Sequence, residues 1–557
     1  MVKKRSDEVV RGIDRLPHRS VIKATGHTDS DFDKPFIAVA NSWNEIVPGH
    51  IHLDKIAEQV KNGIFERGGV PFEFNTIAVC DGWAQGHRGM RYVLPSRDII
   101  ADSIEVMIES QCFDAWVGIG SCDKIVPGML LAATRLNIPF VMVTGGPMLP
   151  GIIDGQNYDS CIAYETVTRS ITEKIPEERV KLIEDTSSPG CGSCAGMFTA
   201  NSMACLSEAA GLSVKGMGTS MAVHSKKYRL ARESGWHVME LFKKQLLPRD
   251  IFTSEAIGNA IVVDMAMGGS TNTVLHIPAI AHEAGIDVDL DLFDEISNKT
   301  PYLCKLRPSG NLEMLDVEMA GGMPQVMYNL RDYLNLDCLT VEGSTVRERI
   351  SGLHEVNTDA IRSVTNPHDK SGGIAILRGN LAPEGSVVKK SAVTPSMLRH
   401  SGPARVFNSM EECQEAIMSD SIKPGEVIVI KYEGPKGGPG MREMLGPTSM
   451  LAGKHLDDKC VLVTDGRFSG STRGASIGHV SPEAWAGGPI AFVEDGDTIE
   501  VNIPGRELNL KVDESTLKER RKNWRRPEKK VGGVLAKYAT LVESASKGAV
   551  LKARLLE

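Results

Sequence analysis

Short apolar runs alternate with amphipathic stretches between residues 36 and 144. The apolar runs predict strands at 36–40, 75–80, 116–119 and 140–144. The amphipathic stretches predict helices at 52–67 and 127–136. A third helix is predicted to start after Ser96, which would be its N-cap, and its apolar residues form a stripe over 99–108. Strands that alternate with helices in this way indicate a doubly wound, mostly parallel sheet.

A mainly helical region is expected to follow this sheet. Segment 145–190 is less regular and is interpreted as a connection that contains one helix. Helices are predicted near 161–173, after the glycine-cysteine turn at 191–194 as far as Gly211, on both sides of Gly268-Gly269-Ser270 between 254 and 285, and within 303–339.

The pattern changes after the turn-rich segment 366–373, beyond which strands dominate. Strands are predicted at 374–377, 427–432, 461–464, 490–494, 498–503 and 508–512, with a last helix at 533–544. We therefore expect an α/β domain over 1–368 and a β-rich, barrel-like domain over 369–557.

Composition and charge narrow the class of protein. A chain of 557 residues is too long for one ordinary core. Its net charge of -8 offers no basic field for nucleic acid, so no nucleic-acid partner is expected. No apolar run approaches the roughly 18 residues of a membrane span, and the first residues lack the apolar segment of a secretory signal. We expect no membrane partner, a cytoplasmic location and reduced cysteines.

Cysteine and acidic residues come together at two predicted strand ends. Cys122, Asp123 and Lys124 follow strand 116–119, and Cys80 and Asp81 end strand 75–80. Ligands bind beyond the carboxyl ends of parallel strands, so both groups should face one crevice. Thiolates suit iron clusters and carboxylates suit Mg²⁺. The sequence therefore predicts an iron–sulfur cluster beside a divalent cation.

Other motifs allow more than one interpretation. The turn Cys191-Gly-Ser-Cys194 could carry a cluster ligand at a helix N-terminus, form a redox pair or be structural. It is unlike a zinc site, because the sequence has no second pair of zinc ligands at the required spacing.

Asp81, Asp123 and Glu443 are candidate Mg²⁺ ligands, although isolated loop carboxylates are usually only solvated. Lys124 could balance their charge or, carbamylated, add an oxygen ligand. Ser469 lacks a hydrolase-type setting but could act as a general base near a cation.

Several long motifs resemble the dihydroxy-acid dehydratase family, which also contains phosphogluconate and sugar-acid dehydratases. They are CDGWAQGHRGMRYVLPSRDIIADSIE from Cys80, GSCDKIVPGM from Gly120, CGSCAGMFTANSM from Cys191, GGSTNTVLH from Gly268, YEGPKGGPGMREML from Tyr432 and TDGRFSGSTRGASIGHVSPEA from Thr464. The similarity extends over about residues 20–510 and is greatest to the branched-chain dehydratases.

The resemblance implies a homodimeric hydro-lyase that converts 2,3-dihydroxy-3-methyl acids into 2-keto acids in valine and isoleucine synthesis. By position, the resemblance makes Cys122 and Cys194 cluster ligands and Ser469 the base. It makes Asp81, Asp123 and Glu443 the Mg²⁺ ligands, with Lys124 carbamylated.

One position departs from the family pattern. Members with a 2Fe-2S cluster have a cysteine where this chain has Gly49, and this chain has Cys80 instead, as the phosphogluconate branch does. We therefore expect a 4Fe-4S cluster on Cys80, Cys122 and Cys194 with one open iron, rather than a 2Fe-2S cluster or a ligand at Cys191. Two alternatives are a sugar-acid dehydratase with a polar pocket and, more remotely, an iron–sulfur redox protein.

Overall fold

A four-stranded parallel sheet forms the centre of the N-terminal half of the computed structural model, which describes residues 3–552. In spatial order its strands are Val70–Asn75, Phe36–Asn41, Ala115–Gly120 and Phe140–Thr144. Every residue of the three strands after the first is buried, which explains why they are continuously apolar. The predicted doubly wound parallel sheet is thus confirmed.

Helices cover both the sheet and the region that follows it. In the N-terminal half they are Asp7–Val10, Leu16–Ala24, Leu53–Glu66, Asp81–Ala84, Val93–Gln111, Ile125–Leu136, Ser160–Thr172, Glu177–Thr186, Thr199–Ala209, Ser225–Lys244, Pro248–Ile251, Ser254–Met267, Thr273–Glu283, Leu290–Lys299, Met314–Met319, Gly322–Asn329 and Val346–Arg349. A small hairpin, Gly151–Ile153 and Gln156–Tyr158, lies in the irregular connection.

Three local predictions in this half are wrong. Segment 145–190 contains two helices, Ser160–Thr172 and Glu177–Thr186, rather than one. The edge strand is Val70–Asn75, not 75–80, because an edge strand alternates buried and exposed residues and lacks the continuous apolar run of a central strand. Ser96 is no N-cap: the helix already begins at Val93, whose side chain is buried, and the Ser96 hydroxyl donates back to the Val93 carbonyl at 2.6 Å.

The C-terminal half contains one sheet of eight strands, which confirms the barrel-like prediction. In spatial order they are Glu507–Lys511, Thr498–Asn502, Arg399–Phe407, Val427–Ile430, Val461–Thr464, Ala475–Ser481, Gly385–Val388 and Ala375–Leu377. The two outer strands meet, since Arg378 N–H donates to the Arg506 carbonyl (2.9 Å) and Leu508 N–H donates to the Arg378 carbonyl (2.8 Å). The sheet is therefore nearly closed. The boundary at 368/369 stays a prediction.

The sequence missed three strands of this sheet, at 385–388, 399–407 and 475–481. It also missed helices Met410–Met418, Leu445–Gly453 and Glu514–Asn523. The last helix, Gly533–Leu541, was predicted and ends three residues earlier than expected. The predicted strand 490–494 is wrong, because Pro489 starts a short 3-10 helix over Pro489–Phe492. Across residues 3–552, none of the helices combines the length and the apolar character needed to traverse a lipid bilayer.

Candidate active site

Three carboxylates from both halves of the chain meet at one point. Single oxygens of Asp81, Asp123 and Glu443 all lie within 4.8 Å of one another. Asp81 begins helix Asp81–Ala84, Asp123 follows strand Ala115–Gly120, and Glu443 follows the barrel strand Val427–Ile430. The first two therefore lie beyond the carboxyl ends of two strands of the parallel sheet, Val70–Asn75 and Ala115–Gly120, at the same edge of that sheet.

Lys124 lies among these carboxylates and is completely buried. Its Nζ is 2.9 Å from Asp81 Oδ2, 3.5 Å from Asp123 Oδ2 and 3.8 Å from Glu443 Oε2. Burial raises the pKa of Asp81, and Lys124 acts in the opposite direction. The other Asp81 oxygen, Oδ1, is buried without a hydrogen-bond partner. A buried, unpaired carboxylate oxygen beside two further carboxylates is a donor set suited to a hard divalent cation.

Three residues that the sequence analysis did not single out contact the Glu443 carboxylate: Arg467, Asn272 and Gln85. The Arg467 guanidinium makes a buried ion pair with Glu443 Oε2, and Asn272 Nδ2 lies 3.4 Å from the same oxygen. Gln85 Nε2 donates to Oε1 at 3.1 Å. Arg467 and Asn272 belong to quoted motifs, but only the fold shows that they share a partner.

Three thiols line one cavity next to the carboxylates. The cavity, of about 660 Å³, is bordered by Cys80, Cys122 and Cys194 together with Asp81 and Asp123. Burial raises the pKa of all three thiols, and the charge of Asp123 raises each further. Thiols in this setting gain most from a bound cation, which stabilises the thiolate form. The arrangement therefore fits a soft metal or a metal cluster.

The loop that carries Cys122 is fixed by a buried histidine. Burial lowers the pKa of His50 to about 4, so the ring is neutral. Its Nδ1–H donates to the Ser42 carbonyl at 2.8 Å, which leaves Nε2 to accept the Cys122 backbone N–H at 3.1 Å. The role of His50 is thus structural.

Cys80 is held in place by a helix-capping contact. It is the N-cap of helix Asp81–Ala84, and its Sγ accepts the Trp83 backbone N–H at 3.4 Å. The predicted strand end is therefore a helix start, yet Cys80 and Asp81 still reach the crevice. The reason is that segment 76–80 leaves the edge strand at its carboxyl end.

The structure separates the remaining sulfur candidates. Cys194 lines the cavity, whereas Cys191 is half-buried and is not among the lining residues. Gly49 does border the cavity: a Cβ added there would lie 2.7 Å from Cys122 Sγ. The position that bears a cysteine in 2Fe-2S relatives thus adjoins the thiol group, and here it contributes no sulfur.

Ser469 lies on the loop after strand Val461–Thr464, two residues beyond Arg467. Its Oγ is 2.9 Å from Ser471 Oγ and accepts the Ser471 backbone N–H at 3.3 Å. Ser469 is partly exposed and is not part of the lining of the three-thiol cavity. Ser469 is linked to the carboxylates through its own loop, because Arg467 on that loop makes an ion pair with Glu443.

Sequence comparisons match both halves of the chain. The profile for the dihydroxy-acid/6-phosphogluconate dehydratase N-terminal domain matches residues 34–349, and that for the C-terminal domain matches residues 359–549. The chain belongs to the dihydroxy-acid/6-phosphogluconate dehydratase family. It is therefore an enzyme of the hydro-lyase class that acts on a small molecule, and membership of this family implies a metal or iron–sulfur cofactor.

Individual dehydratases are similar over nearly their whole length. The chain is 56% identical over 551 residues to a protein named dihydroxy-acid dehydratase from Caldanaerobacter subterraneus subsp. tengcongensis, covering 98% of this chain and 99% of that relative. Proteins of the same name from Acetivibrio thermocellus and Methanosarcina barkeri are each 54% identical over 551 residues, covering 98% of this chain and 100% of theirs.

Proposed function

We propose that this chain dehydrates 2,3-dihydroxy-3-methyl carboxylic acids, namely 2,3-dihydroxyisovalerate and 2,3-dihydroxy-3-methylvalerate, to 2-keto acids for valine and isoleucine biosynthesis. The observation that carries the proposal is that three thiols and the carboxylates of Asp81 and Asp123 line one cavity, with the carboxylate of Glu443 within 4.8 Å of those two. A redox protein would have no use for the buried carboxylate group. The names of the full-length relatives support the substrate class.

The thiol group would hold the iron–sulfur cluster. We assign Cys80, Cys122 and Cys194 as its ligands, because these three line the cavity and Cys191 does not. Clusters with four irons normally take four cysteines. Three thiolates would therefore leave one iron without a protein ligand, and this favours a 4Fe-4S cluster with an open iron.

The carboxylate group would hold Mg²⁺. Asp81, Asp123 and Glu443 supply oxygen ligands, and the unpaired Asp81 Oδ1 is free to coordinate. Lys124 takes the role that the resemblance gives it: its carbamate would add a further oxygen ligand. The buried Nζ, 2.9 Å from Asp81 Oδ2, is close enough for a modified side chain to share the ion with Asp81.

The chemistry needs a leaving hydroxide and an acidified C–H bond. When bound, the two metal groups supply Lewis acidity for both tasks. In this chain Ser469 Oγ, as alkoxide, takes the proton from C2, and the electron pair of that bond forms the C2–C3 double bond as hydroxide leaves C3. The hydroxide then takes the proton from Ser469 and departs as water, which restores the alkoxide. The resulting enol then becomes the ketone. The Ser471 N–H and hydroxyl, which face Ser469 Oγ, are placed to stabilise its negative charge.

The cavity wall favours a branched substrate over a polyhydroxylated one. Apolar side chains dominate the lining away from the thiols and carboxylates: Ile46, Val47, Pro48, Met148, Ala163 and Val167. A methyl group in such a pocket is worth about 1–3 kcal/mol. Sugar hydroxyls placed against the same wall would lose their hydrogen bonds to water.

Anaerobic purification followed by a keto-acid assay tests the proposal. With matched concentrations of dihydroxyisovalerate, gluconate and 6-phosphogluconate, we expect kcat/KM to be at least about tenfold higher for dihydroxyisovalerate. Removal of Mg²⁺ with a chelator should abolish turnover, and added Mg²⁺ should restore it. Preference for gluconate would contradict the substrate assignment, and turnover unaffected by chelation would contradict the carboxylate site.

We also propose a homodimer whose interface lies near the cavity mouth. Three apolar side chains at the cavity are largely exposed: Ile46 (56%), Trp83 (70%) and Val167 (60%). Exposed apolar patches of this kind mark interaction surfaces.

In sedimentation velocity the unaltered chain should sediment as a dimer, and the double variant Trp83→Glu with Val167→Glu should shift toward monomer. Val106→Glu, an equally exposed position outside the cavity, serves as control; a monomeric unaltered chain would contradict the proposal.

A further inference from the structure

The motif Gly268–Thr273 lies against the site, where its Asn272 contacts Glu443. It connects helices Ser254–Met267 and Thr273–Glu283 and is buried throughout. Within it, Asn272 is completely buried and its side chain points at the loop that carries Ser469. A buried amide in this position must have a use for both its donor and its acceptor groups.

The Asn272 amide contacts both halves of the site. Its Oδ1 accepts a hydrogen bond from Arg467 Nη1 at 3.0 Å. Its Nδ2 lies 3.2 Å from the Phe468 carbonyl and 3.4 Å from Glu443 Oε2, besides the hydroxyls of Thr199 and Ser270. Because Arg467 can only donate and the Phe468 carbonyl can only accept, the orientation of the amide is fixed.

No other side chain of the length of asparagine can make all of these hydrogen bonds. Aspartate keeps the acceptor for Arg467 but turns a second oxygen toward the Phe468 carbonyl and Glu443. Leucine or alanine leaves the buried Phe468 carbonyl without this partner, and an unsatisfied buried polar group is destabilising. The chemistry of the position thus requires an amide.

We propose that Asn272 is a positioning residue, which fixes the Ser469 loop (residues 466–471) relative to the metal-binding carboxylate Glu443. The inference rests on the proposed function, since the loop matters because Ser469 takes the proton. Asn272 joins the carbonyl one residue before Ser469 to the carboxylate. It thereby sets the distance between the base and the site where the substrate's C2 must lie.

A second contact keeps this loop folded when Asn272 is altered. The buried Lys389 Nζ donates to the Gly470 carbonyl at 3.1 Å and to the Met197 carbonyl at 3.0 Å. Gly470 itself is packed so closely that an added Cβ would lie 2.8 Å from the Thr199 nitrogen. Loss of the Asn272 contacts should therefore shift the loop rather than unfold it, and a shift of about 1 Å at a reacting group can cost 100-fold in rate.

The experiment combines steady-state kinetics with hydrogen exchange on anaerobically purified Asn272→Ala and Asn272→Asp enzymes. In both variants we expect kcat to fall about 100-fold, with KM changed less than about threefold and the iron content retained. Amide exchange should become faster in the peptide covering 466–472 and stay unchanged in the barrel strands. Exchange reports the contact directly and does not depend on turnover.

A matched control is Asn329→Asp, which alters another buried asparagine that donates to backbone carbonyls, those of Val356 and Arg362, away from the site. It should speed exchange near those residues and leave kcat and the 466–472 peptide unchanged. Unchanged kcat and exchange in both Asn272 variants would overturn the proposal, as would faster exchange throughout the chain. Retained turnover in Ser469→Ala would instead remove the base role, and the exchange result would still decide whether Asn272 holds the loop.

Discussion

Replacing Ser469 by alanine is expected to lower kcat by about 10²–10⁴-fold, the usual contribution of a general base, while iron content and Mg²⁺ binding stay unchanged. The substitution removes only the oxygen that would take the C2 proton. No ligand is lost, because Ser469 contributes neither to the three-thiol cavity lining nor to the carboxylate group. The KM should change little, since substrate binding would depend on the metal groups.

The measurement is steady-state turnover normalised to iron content, with Ser386→Ala as the matched control. Ser386 is a buried serine of barrel strand Gly385–Val388 whose hydroxyl donates to the Leu377 carbonyl. That variant should lose some stability and keep its turnover per cluster. If Ser469→Ala kept the turnover of the unaltered enzyme, serine would have no part in proton removal.

Cys80→Ser is expected to abolish both the visible absorbance of the cluster and all turnover. The change takes away one of only three proposed thiolate ligands, and a serine hydroxyl does not replace a soft sulfur ligand for iron. The local fold should survive, because Cys80 is an N-cap and serine is among the preferred N-cap residues. Loss of the cluster would therefore report ligation rather than misfolding.

Cys191→Ser provides the comparison, since Cys191 lies in the same motif as Cys194 but outside the cavity. This variant should retain the cluster spectrum and the iron and sulfide content of the unaltered enzyme. The opposite pattern, an intact cluster in Cys80→Ser and a lost one in Cys191→Ser, would reject the ligand assignment made here.

Elements with a local signal were predictable from the sequence. Strand Phe36–Asn41 is buried on both faces and therefore continuously apolar, and the break between helices Ser254–Met267 and Thr273–Glu283 coincides with its glycines. The edge strand Val70–Asn75 was misplaced because its alternating pattern is weaker than the apolar run that follows it. Strand Arg399–Phe407 was missed because its exposed polar residues do not form an apolar run.

The sequence was sufficient to predict which residues form the candidate site, but not the contacts between residues that lie far apart in the chain. Cys80 and Asp81 were placed correctly at the crevice although the strand before them was wrong, since either geometry leaves them at the carboxyl edge of the sheet. The proximity of Glu443 to Asp81 and Asp123 depends on the packing of the barrel against the parallel sheet. The link from Asn272 to Arg467 spans 195 positions of sequence separation, and no local pattern encodes such a contact.

In the proposed site, sulfur-bound iron lies directly beside an oxygen-bound cation. Anomalous diffraction at the iron edge, on crystals of the anaerobically purified enzyme, would locate the iron. We predict iron peaks bonded to the Sγ atoms of Cys80, Cys122 and Cys194, adjacent to Asp81, Asp123 and Glu443. Iron bonded at Cys191, or no iron between the three thiols in an active preparation, would contradict the account.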